Sequence, residues 1–165
     1  MSDGRFELKP IGWVESTLID LAAAPKQGHE GAPEAWLVFE PGVLDGLDGL
    51  YAGDEVIVLT WLHRADRGIL RVHPRDDPAK PLQGVFATRS PARPNPIGVH
   101  PVRILELDGA RMRVMGLEAI DRTPIVDVKL SARARVTHPA GARRYRTRQP
   151  LSGTTFRGAN RADAG

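Results

Sequence analysis

A chain of 165 residues, 41% hydrophobic and 26% charged, is long enough for one domain with a buried core. No stretch is long and apolar enough for a membrane-spanning helix, and the absence of cysteine excludes a disulfide framework and a thiolate zinc site. The net charge of +3 comes mainly from arginine rather than lysine, which permits a polyanionic partner without requiring one.

The opening Met-Ser-Asp-Gly-Arg-Phe-Glu lacks the apolar core of a signal peptide, so a cytoplasmic protein is expected. Phe6 to Ser16 alternates loosely and predicts a first strand interrupted by Pro10. Ala22 to Pro33 is rich in Ala, Gly and Pro and predicts a loop long enough to be functional. Glu34 to Glu40 predicts a second strand. Leu44, Leu47 and Leu50 then recur between glycines, as in a short helix or turn.

Asp54 to His63 is the clearest strand, a β-branched run apolar on both sides, with His63 and Arg64 where that run stops. Gly68–His73 and Gly84–Thr88 predict further strands around the charged loop Pro74–Pro81. Pro101–Leu107 and Arg111–Met115 predict a hairpin across Asp108-Gly109, and Pro124–Leu130 a last strand. Short strands at close spacing with little helical periodicity predict a mainly β fold: a compact, single-sheet, barrel-like domain with few short helices. That domain is expected over residues 1–137. Residues 138–165 are expected to form a basic arm and a small, polar, disordered tail. The stretch Ser131–Gln149 carries six arginines and no acid.

Between Thr88 and Pro101 the sequence reads Thr-Arg-Ser-Pro-Ala-Arg-Pro-Asn-Pro-Ile-Gly-Val-His-Pro. Ser90, Arg93, Asn95 and His100 each precede a proline and are pushed toward extended geometry. The segment is therefore expected to be neither helix nor ladder-forming strand, but a rigid loop holding polar groups at fixed angles. Composition alone is equally satisfied by a Pro-rich turn with solvated arginines.

The chemistry is first bounded by what is missing. No glycine-rich fingerprint follows a strand and opens a helix, and there is no phosphate-cradling loop. The histidines His29, His63, His73, His100 and His138 show no zinc spacing, so no metal is expected. Ser90 lacks the glycine-flanked elbow of a hydrolase nucleophile. What remains is a binding constellation of Arg89, Ser90, Arg93 and Asn95, His63-Arg64, and Glu118 to Pro124. It suits a ligand that joins a carboxylate, an ammonium and an adenine. Asp121-Arg122-Thr123-Pro124 reads equally as a plain turn.

The Gly84–Pro101 stretch resembles the signature of the TsaA-like family, whose characterised members are TrmO-type tRNA methyltransferases that use S-adenosylmethionine. The likeness runs from about Ile11 to Leu130. It implies a β-barrel-like homodimer that methylates threonylcarbamoyladenosine beside the tRNA anticodon. By match to the family's motifs, cofactor contacts are expected at Pro25, Lys26 and Gln27, at His63 and Arg64, at Arg89 and Val99, and over Gly116, Leu117, Glu118 and Ala119. Arg93, Asn95, Asp121 and Thr123 are expected toward the substrate. Among the basic residues, Arg143, Arg144 and Arg146 are expected on tRNA phosphates. Arg122 stands where the family has glycine, so a left-handed backbone is not expected there. The family's longer bacterial enzymes carry a further C-terminal domain that this sequence does not extend into. A small-molecule methyl acceptor, or a non-enzymatic cofactor- or RNA-binding module, are the other readings.

Overall fold

The β-branched run at the middle of the chain folds as predicted, and the domain closes around it. The computed structural model describes residues 7–22, 24, 25, 27–132 and 145. Eight strands occur in chain order: β1 Gly12–Glu15, β2 Ala35–Phe39, β3 Glu55–Trp61, β4 Arg71–Val72, β5 Gln83–Gly84, β6 Ile97–Asp108, β7 Arg111–Met115 and β8 Pro124–Leu130. Six of them form one antiparallel sheet in the order β1-β2-β7-β6-β3-β8, and β8 pairs back onto β1 to close a barrel. Closure leaves the sheet without a free edge. Among the described residues, no helix is long and apolar enough to cross a membrane.

Alternation fixes which side chains enter the barrel. On β3 the inward residues are Val56, Val58 and Thr60, while Ile57, Leu59 and Trp61 stay half-exposed outside. On β6 they are Gly98, His100, Val102 and Ile104. With Val14, Leu37, Phe39, Met112, Val114, Leu117 and Ile125 the aliphatic ones make the core. Toward the end formed by Thr60 and His100 buried polar side chains join it.

The Leu44/Leu47/Leu50 spacing resolves as a 3₁₀ helix, Pro41–Leu47, whose Leu47 plugs the barrel. A period of three suits 3₁₀ better than α geometry. Tyr145, from the segment read as a basic arm, donates its backbone N–H to Leu50 O at 2.9 Å and packs into the same core. The rest of that arm, and the tail, lie outside the described residues.

Three expectations are corrected. First, residues 97–101 join the ladder, with Ile97 through Arg103 paired to β3. Pro101 is tolerated because β7 takes up β6 only from Arg103 onward, so that side of β6 needs no N–H from residue 101. Second, the strands read over 68–73 and 84–88 shrink to the two-residue β4 and β5. These pair only with each other, and the chain then turns into a 3₁₀ helix, Val85–Ala87. Standing outside the barrel with exposed residues on both sides, that ribbon has no apolar face to extend it. Third, Arg122 does adopt a left-handed backbone, at φ 63°. Its N–H donates to Val14 O at 2.8 Å, so the tertiary bond outweighs the torsional cost of a Cβ there.

Candidate functional site

The polar end of the barrel opens into a cavity of about 890 Å³, within the roughly 300–1,000 Å³ usual for small-molecule sites. Four pieces of chain wall it. They are the turn after β3, the loop of residues 21–27, the segment 87–100, and residues 118–123 after β7. The β4–β5 ribbon overhangs the mouth, and Arg75 at its tip pairs with Glu30 at 2.8 Å, joining it to the Gly28–Glu30 turn.

The signature loop is wired by its own polar groups. Thr88 Oγ1 donates to Val85 O and accepts from Ser90 N–H; Ser90 Oγ accepts from Ala92 N–H. Arg93 ties the whole turn. Its Nε donates to Ser90 O at 2.8 Å, and its Nη2 donates to Thr88 O at 2.8 Å and Val85 O at 3.2 Å. Its guanidinium is thus engaged by the loop itself, although the residue touches the cavity. Arg89 is exposed at the rim, where Nη2 donates to Val99 O at 3.0 Å.

Of the residues expected on the cofactor, the cavity collects Pro25, Gln27, His63 and Arg64 from one side. Arg89, Val99, Glu118 and Ala119 come from the other. Arg93 and Thr123 also reach it, but the Thr123 hydroxyl is buried and donates to Ile120 O at 2.7 Å. Gly116 and Leu117 stand behind the wall, Leu117 in the core. Asn95 is exposed and off the cavity. Asp121 turns away, accepting from Ser16 N–H at 3.0 Å on a separate outer groove. Lys26, Arg143, Arg144 and Arg146 lie outside the described residues.

That outer groove is a web of ion pairs rather than a receptive pocket. Arg111 and Arg113 lie over the Trp36 ring, and each is paired to glutamates, Glu15 for Arg111 and Glu34 with Glu106 for Arg113. In the cavity, by contrast, the arginines Arg64, Arg75, Arg89 and Arg93 outnumber the carboxylates Asp76 and Glu118. His63 is held below its ordinary pKa, by burial of part of its ring and then by the Arg64 guanidinium beside it. Both causes favour the neutral ring. Among the described residues no cluster of three acids or histidines could hold a metal ion.

Three residues at or beside the cavity were not expected from the sequence. His100 is buried and its Nε2 lies 2.8 Å from Thr60 Oγ1. Gly98 makes room for that contact, since a Cβ there would come within 2.4 Å of both atoms. Gly28 lets the turn after Gln27 rest on the backbone of Gly116, whose oxygen would stand 1.9 Å from an added Cβ. The signal for Gly98 and His100 was present as i, i+2 alternation, hidden by Pro101.

Residues 13–133 match the tRNA-methyltransferase O N-terminal domain. A probable S-adenosyl-L-methionine-binding protein of Methanothermobacter thermautotrophicus is 43% identical over 129 residues, covering 78% of this chain and 92% of the relative. An S-adenosyl-L-methionine-binding protein of Archaeoglobus fulgidus is 40% identical over 122 residues, covering 74% and 86%. The crystal structure of TrmO from Pseudomonas aeruginosa superposes with a TM-score of 0.63 at 29% identity. The match covers 86% of this chain but only 61% of the solved one, so the chain spans about three-fifths of that enzyme.

Proposed function

We propose that this chain, which belongs to the tRNA-methyltransferase O N-terminal domain family, binds S-adenosylmethionine in the barrel-end cavity and transfers its methyl group to tRNA. The carrying observation is the convergence of Pro25, Gln27, His63, Arg64, Arg89, Val99, Glu118 and Ala119 on one cavity from separate parts of the chain. The lining fits the cofactor's chemistry. Arg64 and Arg89 offer guanidiniums to a carboxylate, while Leu62, Ala87, Val99 and Ile120 give apolar surface for a purine. Backbone N–H and C=O groups of Glu118 and Ala119 supply polar edges beside them, and this reading assigns Gln27, with Lys26 next to it in sequence, to the same cofactor.

When bound, the cofactor supplies an electrophilic methyl carbon on a sulfonium. The protein's part is then positioning and exclusion of water, worth up to about 7–11 kcal/mol in well-oriented systems. The favoured acceptor is the exocyclic nitrogen of threonylcarbamoyladenosine next to the anticodon, in a cytoplasmic tRNA. Of the residues expected toward the substrate, Thr123 and Arg93 stay with the cavity in this reading, Arg93 acting through the loop it braces, while Asn95 and Asp121 lie off it. Mass spectrometry of tRNA nucleosides from a deletion strain tests it. Loss of one N-methylated threonylcarbamoyladenosine supports the reading, whereas an unchanged nucleoside profile moves the activity to a small molecule.

Two further expectations belong to the same reading. Arg89→Ala weakens S-adenosylmethionine binding by about tenfold or more, since loss of a charge-assisted hydrogen bond costs about 1.5–3 kcal/mol. Calorimetry checks it, and an unchanged Kd removes Arg89 from the cofactor site. Changing Arg143, Arg144 and Arg146 together to Ala lowers tRNA affinity and reduces the slope of log affinity against log salt by about 0.7–0.9 per lost phosphate contact. Equal slopes would leave that segment without a role in binding.

The family resemblance implies a homodimer, and an apolar strip on the outer face of β3 and β6 supports that reading. Leu59 is paired with Val99 and Trp61 with Ile97 across the ladder, at the edge of the cavity. Light scattering that finds only an 18.0 kDa species at micromolar concentration would exclude this.

A further inference from the structure

Three polar side chains at the cavity floor, two of them fully buried, form a chain of contacts. Thr60 Oγ1 lies 2.8 Å from His100 Nε2, and His100 Nδ1 lies 3.0 Å from Glu118 Oε1. The His100 side chain is 4% exposed and that of Glu118 18%. The second contact is close but off the axis of a hydrogen bond, so His100 Nδ1 steers the carboxylate rather than saturating it. Glu118 Oε2 is buried and has no hydrogen-bond partner among the described residues. It lies under Gly28, where a Cβ would stand 3.1 Å from it. A plug that only closed the barrel would satisfy its own polar atoms, because a buried acceptor left open costs about 1–3 kcal/mol, and more for a charge. Oε2 itself has almost no exposed surface, but the side chain as a whole is partly open and lines the cavity, so a turn of the carboxylate presents an oxygen to a donor there.

We propose that Glu118 is the proton acceptor of the methyl transfer, with His100 and Thr60 as the residues that position it. This rests on the reading of the cavity as a methyl-transfer site. A urea-like nitrogen carries an N–H that must leave. As that nitrogen forms its bond to the methyl carbon, the methyl–sulfur bond breaks, its electron pair stays on the sulfur, and the sulfonium becomes a thioether. The N–H proton passes to the Glu118 carboxylate oxygen turned toward the cavity, giving a neutral carboxyl that returns the proton to solvent after product leaves. Positioned acid–base groups of this kind contribute about 10²–10⁴-fold. The arrangement requires one tautomer of His100: the Thr60 hydroxyl donates to Nε2, and Nδ1 carries the proton that faces Oε1. Gly98 is the residue that allows it, since any Cβ there would separate Thr60 from His100.

Three measurements on the full chain decide it. Single-turnover methylation of tRNA from a deletion strain should fall by about 100-fold or more in Glu118→Gln. Titration calorimetry with S-adenosylhomocysteine should give the variant a Kd within about threefold of the wild type, because the amide keeps the shape of the carboxylate. In ¹⁵N-histidine NMR of the wild type, His100 should carry its proton on Nδ1 with Nε2 bare. Methylation equal to wild type in Glu118→Gln overturns the proposal, and so does a weaker Kd with an unchanged rate at saturating cofactor, which would make the carboxylate a cofactor grip. A proton on Nε2 overturns it independently of any activity. If the wild type itself methylates no tRNA, the reading of the site fails and the assignment falls with it; an active wild type with an equally active variant sinks the assignment alone.

Discussion

Gly28→Ala is expected to weaken S-adenosylmethionine binding by at least about tenfold, roughly 1.4 kcal/mol, and to slow methyl transfer by on the order of 100-fold. The added Cβ would stand 1.9 Å from Gly116 O and 2.9 Å from Gly116 C, and both atoms are backbone. No flexible side chain can move aside, so the turn Gly28–Glu30 must lift off the 116–119 segment. That displacement separates Pro25 and Gln27 from Glu118 and Ala119, which the closed turn holds on opposite sides of one cavity. The turn buries no residue of its own. The barrel therefore survives, and the melting temperature should shift by only a few degrees. Calorimetry with the cofactor, run beside a thermal melt, separates the two effects. An unchanged Kd would mean that the turn is not part of the cofactor site.

The contrast between Gly28 and its neighbours shows what the sequence could and could not disclose. Strand β3 was legible because a β-branched run has few alternatives, and the β6–β7 hairpin because Asp108-Gly109 supplies the left-handed residue, Gly109 at φ 55°. His63 and Arg64 were legible as a strand end, and both line the cavity. The β6 start was not legible. Pro101 argues against a strand locally, and only the staggered pairing of β6 with β3 and β7 removes the objection. Misreading that start hid the inward placement of Gly98 and His100. Asp121 and Arg122 were ambiguous for a different reason: a turn sequence does not say which side chain faces inward. The turn holds a left-handed arginine and an aspartate bonded to Ser16 N–H, so it serves the barrel on the side away from the cavity. Gly28 was invisible because close backbone approach between residues far apart in sequence leaves no local trace.

Arg93 was expected as a grip on substrate, and its geometry gives it another task. Its three hydrogen bonds run to the carbonyls of Val85, Thr88 and Ser90, and its own N–H donates to Asp66 O at 3.0 Å. A guanidinium fork spans such a set of carbonyls; a single ammonium does not. Charge-assisted bonds of this kind contribute about 1.5–3 kcal/mol each, but three on one side chain are not additive and the group is half-exposed. A net loss of about 3 kcal/mol is therefore expected for Arg93→Ala, lowering the melting temperature by roughly 6–12 °C for a domain of this size. Arg93→Lys should recover less than half of that loss. Cofactor affinity should fall in both variants, because Arg89 and Ser90 stand on the loop that Arg93 holds together. A variant that melts like the wild type, binds the cofactor normally and loses only tRNA would return Arg93 to the substrate, and the loop would then be held by its prolines and hydroxyls alone.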